Sequence, residues 1–192
     1  MTARPQQLGP VDPPSLLATL NTTWHRAALN VFMFVVLAHW AEHLVQAAQI
    51  WLLGWSRPEA RGLLGLPFPW LVESEWLHYG YALVMLAGFW LLRTGFVGRA
   101  RLWWGIALGV QVWHHLEHLL LLVQALTGQY LLGRAVPTSL AQVVFPRVEL
   151  HLFYNAVVFA PMVIAIGLHL RPTWREQALM KCSCRPTAVA EA

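Results

Sequence analysis

His39-Trp-Ala-Glu42-His43 and, seventy-five positions later, His114-His-Leu-Glu117-His118 are two copies of one pattern, His-x-x-Glu-His. Each copy is followed by Leu, then four residues, then Gln (Gln49 and Gln124). On an α-helix the spacings i, i+3 and i+4 fall on one face, so each copy aims two imidazoles and a carboxylate the same way. Both copies lie inside long apolar runs, where ionisable side chains are costly and mark function. One copy would be weak evidence of anything. The doubling makes it informative.

Working outward, the doubling extends into the next apolar run on each side. Leu77-His78-x-x-Tyr81 recurs as Leu150-His151-x-x-Tyr154, seventy-three residues on. The chain therefore reads as two tandem two-helix units, repeat one over about 27–92 and repeat two over about 102–170. An even number of spans per unit gives both the same orientation, as parallel repeats related by an axis along the membrane normal.

Composition agrees with a membrane setting. Of 192 residues, 57% are hydrophobic and 11% charged, against about 25% charged in soluble domains; the mean hydropathy is +0.50. The fold class expected is an all-α integral membrane protein, a bundle of four transmembrane helices. The spans run from about Ala27 to Leu53, Trp76 to Leu92, Leu102 to Leu126 and Val148 to Leu170. Each can cross roughly 30 Å of hydrocarbon, the second only just. Pro161 predicts a kink in the fourth. Between the first two spans, Leu63 to Trp70 reads as a re-entrant or lateral piece, and many of the eleven Trp lie near span ends as interfacial anchors.

Residues 1–24 lack the order of a signal peptide and read as a flexible amino-terminal arm, residues 25–171 as the four-span domain and residues 172–192 as a cytoplasmic tail. Arg26, Arg93, Arg99, Arg101, Arg171, Arg175 and Lys181 fall on one side. The opposite loops hold Arg57, Arg61, Arg134 and Arg147, offset by Glu59, Glu73, Glu75 and Glu149. The positive-inside rule then gives a multi-pass plasma-membrane protein with both termini cytoplasmic. The net charge of +4 shows no basic face with interleaved aromatics, which argues against nucleic acid as a partner. Cys182 and Cys184 are too close together for a disulfide framework. They read as part of a plain tail, with acylation or opportunistic metal binding as the alternatives. His25 and His169 read as interfacial.

Helix rise sets the depth of the remaining histidines. Counted from Ala27, His39 lies about 18 Å and His43 about 24 Å into the membrane. His114 and His118 come out at similar heights, and His78 and His151 sit near the outer ends of their spans. Six histidines from four helices thus gather in the outer half of the bilayer. Neutral imidazole ligates iron, copper and zinc, so the first reading is a metal centre of His39, Glu42, His43, His78, His114, Glu117, His118 and His151. It holds one ion in each half or a dinuclear pair between halves, with His115 as an alternative to His114. Glu42, Glu117, Tyr81 and Tyr154 are the candidate catalytic groups.

Three chemistries fit that set. A membrane oxidoreductase would use iron or copper, favoured over zinc, on a lipid-soluble substrate, a quinone or a redox partner. A zinc-dependent intramembrane hydrolase would use Glu42 or Glu117 as base. A non-catalytic metal carrier or sensor needs a path that no polar ladder provides on the cytoplasmic side. Haem b, held by bis-His ligation in an electron-transfer protein, is the alternative cofactor. A hydrogen-bonded network without metal is the bland reading. The inverted zinc peptidases share the His-x-x-Glu-His spacing, and membrane di-iron hydroxylases share a His-rich cluster on four spans. The likeness is one of chemistry only.

Overall fold

The structure, a computed structural model, describes residues 14–185, and every regular element among them is helical. In chain order these are α1 (Leu16–Asn21), α2 (His25–Trp51), α3 (Trp70–Glu73), α4 (Glu75–Leu92), α5 (Gly98–Thr127), α6 (Arg147–Leu170) and α7 (Trp174–Leu179). Short 3-10 turns stand at Arg93–Gly95, Leu131–Gly133 and Ala141–Val143.

Three helices, α2, α5 and α6, are long and apolar enough to cross a membrane. Helix α4 is not among them: it has 18 residues, and Glu75, His78, Tyr79 and Tyr81 occupy its first two turns. It nevertheless packs along α5, with Trp104 donating its indole N–H to the Phe89 carbonyl (2.9 Å) and Gln111 its amide to the Ala82 carbonyl (3.1 Å). The falling partner numbers make this pair antiparallel. On its other flank α5 runs antiparallel to α6, through Trp113 with Tyr154 and His118 with His151. Helix α2 meets α4 through Phe32 and Phe89, and α6 through Trp40 and Phe159. Helices α2 and α5 therefore point the same way, and α4 and α6 return. Helix α6 passes through Pro161 as one continuous element.

The centre of this assembly is apolar. Leu29, Phe32 and Val36 of α2 close against Met85 and Phe89 of α4, Trp104 and Ala107 of α5, and Val158, Met162 and Ala165 of α6. Outside, Val31, Phe34, Leu102 and Phe153 are exposed. A surface this apolar suits lipid and not water. Trp24, Trp51, Trp70, Trp76, Trp90 and Trp174 stand exposed at or near helix ends, as interfacial anchors do, whereas Trp104 is core.

One sequence expectation needs correction. Of the arm expected to be flexible over 1–24, residues 1–13 lie outside the described residues, but Leu16–Asn21 is helical and docked. Ser15 caps α1, and Asn21 donates to the Leu91 carbonyl (2.8 Å) and accepts from the Gly95 amide (2.8 Å). One polar side chain, satisfied on both sides, pins the segment to the turn after α4. The tail is also structured as far as Arg185, with residues 186–192 outside the described ones. Helix α7 opens with a capping box of Thr173 and Glu176, and Glu176 takes the Arg99 guanidinium in a two-pronged pair (3.1 and 2.9 Å).

Candidate metal centre

The site starts from helix register. In α2, His39 and His43 are one turn apart, and their Nε2 atoms approach to 3.0 Å; in α5, His114 and His118 repeat this at 3.2 Å. Two nitrogens bound at about 2.0–2.1 Å to one ion, at right to tetrahedral angles, lie roughly 2.9–3.4 Å apart. Both pairs already have that separation. His78 of α4 lies 6.1 Å from His118, centroid to centroid, and His151 of α6 lies 5.2 Å from His43 and 5.1 Å from His118. The six histidines form one cluster, and it interleaves the two halves of the chain.

Donor chemistry fits a transition metal. The ring atoms of His114, His118 and His151 that could bind an ion lie within 4.8 Å of one another, and all three residues are buried. Among the described residues His151 Nε2 has no hydrogen-bond partner. Orphaned buried nitrogens are rare in proteins unless something else satisfies them. Two other rings are oriented by neighbours. His78 Nδ1 donates to the Ser74 carbonyl (2.9 Å), leaving Nε2 with its lone pair. Gln46 donates its amide N–H to the Ala60 carbonyl (2.8 Å), so its oxygen faces His43 Nδ1 at 3.4 Å as acceptor. His43 Nε2, which faces His39 Nε2 at 3.0 Å, then also carries its lone pair. Such outer partners fix the tautomer of metal-binding histidines.

The carboxylates sit differently from the sequence expectation. Glu42 Oε1 accepts the Leu64 amide (2.7 Å) and the Gly65 amide (3.3 Å), and so holds the 52–69 loop down against α2. Glu117 Oε1 accepts the Ala141 amide (3.3 Å) in the second loop. Its Oε2, however, is buried without a partner among the described residues, and Glu117 lines a small void with His114, His118 and His151. Glu42 thus has a loop-holding job, while Glu117 keeps one oxygen for the centre. Gln49 and Gln124, which follow the two motifs at the same spacing, clamp the same two loops. The first loop folds back as far as Glu42 through its Leu64 and Gly65 amides.

The tyrosines lie against the cluster. Tyr81 stacks on His39 at 3.7 Å, its hydroxyl donating to the Val35 carbonyl (3.4 Å); Tyr154 lies 4.7 Å from His114 and accepts the Trp113 indole N–H (2.7 Å). His115 turns out of the cluster onto Tyr79, which leaves His114 as the inward-facing residue of that pair. A cleft of about 570 Å³ reaches the centre from the loop side, with His43, His78 and His151 in its lining. Arg57 with Glu149, Arg147 with Glu75 (2.7 Å) and Arg61 with Glu73 (3.4 Å) neutralise one another around that end.

Sequence reading missed Gln46 and Ser74. Gln46 is one turn past His43, which was a usable signal, but the same place after the second His-x-x-Glu-His is Leu121, so comparing the two motifs hid it.

The fold and the site together define an all-helical protein with membrane-like helices and a buried histidine cluster able to hold metal. No protein-family model, curated protein or solved structure matches the chain.

Proposed function

We propose that the protein is a four-span membrane oxidoreductase, built from two tandem two-helix repeats, with a dinuclear iron or copper centre in the outer half of the bilayer. The observation that carries the metal reading is the doubled pair of facing Nε2 atoms, His39–His43 at 3.0 Å and His114–His118 at 3.2 Å. Interleaving of His43 with His151 and His78 with His118 favours one shared centre over one ion in each half. The antiparallel packing of α4 on α5 supports counting α4 as a fourth crossing. Matching clamps in both loops support the repeat.

A redox metal bound there would supply electron transfer. The chain's own residues would hold it, keep it dry on the cytoplasmic side and admit a lipid-soluble substrate or quinone by the cleft. Tyr81 and Tyr154, in contact with His39 and His114, stand where a side chain would relay an electron or proton. Direct imidazole contacts leave no slot for a macrocycle between the paired rings, which weighs against haem. The free Oε2 of Glu117 favours one second reading, a zinc hydrolase in which that carboxylate takes a proton from water.

The test is metal analysis with an absorption spectrum on protein purified in detergent without chelators. About two iron or copper per chain, lost in His43→Ala and His118→Ala while insertion persists, is the expected result. A Soret band would overturn it in favour of haem. Zinc lost in those same variants would select the hydrolase. Metal content unchanged by both substitutions would remove the site assignment altogether.

A further inference from the structure

At the opposite end of the helices lies a second polar cluster that the proposed centre does not use. His25 opens α2, His169 stands one residue before the end of α6, and Cys182 and Cys184 follow α7. The histidines read as interfacial in sequence are 0% and 1% exposed, and the cysteines 5% and 7%. From His25 to His39 is fourteen residues of helix, roughly 21 Å, with the apolar core between them. The two clusters are separate.

The geometry is convergent. Ligand atoms of His25, His169 and Cys184 lie within 4.8 Å of one another, and Cys182 Sγ is 3.5 Å from His169 Nε2. Both ring nitrogens of His25 and Nδ1 of His169 are buried without a hydrogen-bond partner among the described residues. No described residue satisfies them.

The surroundings hold the four residues there from three directions. Gly95 gives the His25 ring its room: a Cβ at that position would overlap the imidazole. Phe96 packs on both histidines, 5.3 Å from His25 and 4.7 Å from His169. Between the cysteines, Ser183 donates its amide to the Thr22 carbonyl (2.7 Å) and accepts the Arg26 amide on Oγ (3.1 Å). The Cys-Ser-Cys turn is thereby fixed across the amino-terminal end of α2, where free N–H groups and the helix dipole favour thiolate.

We infer that His25, His169, Cys182 and Cys184 form a second metal site, a tetrahedral Cys2His2 centre for zinc that fastens the carboxy-terminal tail to the ends of α2 and α6. Two thiolates and two neutral imidazoles are a preferred zinc donor set. Two thiolate charges cancel those of the ion, so the loaded site is neutral, as its apolar surroundings require. Loading releases the two thiol protons to solvent and involves no redox step. All four coordination positions come from protein, which makes the site structural. It does not depend on the proposed function, because the six-histidine centre contains no sulfur.

The test uses full-length protein purified in detergent under reducing conditions, stripped with chelator and titrated with Co2+ alone. The expected signature is a thiolate-to-cobalt charge-transfer band in the near ultraviolet that saturates at one ion per chain and is abolished by competing Zn2+. It should be lost in the Cys182→Ser/Cys184→Ser double variant and weakened at least tenfold in affinity by His169→Ala. A thiol-reactive dye should label neither cysteine in zinc-loaded wild type and both after chelation, a readout that holds even if the double variant fails to fold. Absence of the charge-transfer band, or equal labelling with and without zinc, would overturn the site.

Discussion

Gln49 grips Gly62 by both of its backbone groups, donating to the carbonyl at 2.9 Å and accepting from the amide at 2.8 Å. Gln124 does the same to Thr138, at 2.8 and 3.2 Å. Each grip sits two turns beyond the Glu of its His-x-x-Glu-His motif and draws a loop back over the histidines. The residue gripped in the first loop is glycine for two reasons. Its φ is +76°, and a Cβ there would run into the Glu42 carboxylate.

Gln49→Leu therefore strands a buried N–H and a buried C=O in the first loop, at a cost of about 1–3 kcal/mol for each group left unsatisfied. The expected outcome is faster hydrogen exchange and proteolysis over residues 56–65, with α2 itself unchanged. Gly62→Ala should give the same local opening by a different route, since it strains the backbone and displaces Glu42. If neither variant alters exchange in that loop, the clamp does not hold it.

The two glutamates of the repeated motif should respond differently. Glu42→Gln retains an oxygen to accept the Leu64 and Gly65 amides, so metal content should stay near wild type. Glu117→Gln alters the one carboxylate with a free buried oxygen beside His114, His118 and His151. It should weaken metal binding or abolish turnover while its other oxygen still accepts the Ala141 amide. Equal effects of the two substitutions on metal content would show that the carboxylates have equivalent jobs.

His114 and His115 give a sharper contrast, being adjacent in sequence and divergent in space. His114→Ala removes one of the facing Nε2 atoms and should cost the centre its metal. His115→Ala empties a contact with Tyr79 and should leave metal content unchanged. Gln46→Leu, which removes the acceptor for His43 Nδ1, should lower metal affinity about 10–100-fold, the usual cost of losing an outer partner. Metal titrations of the three purified variants decide the matter.

The cluster was legible because helix geometry is periodic. A His-x-x-Glu-His on an apolar helix can only aim its side chains one way, and a second copy supplies their partners. The long helices follow from the same regularity, with α6 observed at Arg147–Leu170 for an expected Val148 to Leu170. What sequence could not give was anything fixed by contacts across the chain. Glu42 was read as a ligand because its spacing suits one, yet the loop amides that claim it lie 22 and 23 residues away. His25, His169 and the two cysteines carry no common period, so they looked like scattered marginal residues. Tertiary packing alone makes them a set.

Glu176 ties the tail to α5, and its titration gives a signed prediction. The Arg99 guanidinium, together with the Thr173 and Arg99 backbone amides, holds its carboxyl well below the ordinary value of 4.5. A carboxyl whose pKa is depressed on docking contributes stability that is fully present above the undocked value. That contribution is lost as pH falls through 4.5 towards the docked value, when the undocked tail takes up a proton that the docked tail does not. Residues 172–185 should therefore resist pepsin at pH 5 and become progressively cleavable as the pH is lowered further, with the helices of the membrane domain still intact. Glu176→Gln keeps a side-chain oxygen for the capping amide but removes the charge that Arg99 pairs with. In that variant the tail should be more readily cleaved at pH 5, and its cleavage should change less over the same interval. A tail equally protected in both proteins at every pH would mean that the Arg99–Glu176 pair does not contribute to docking.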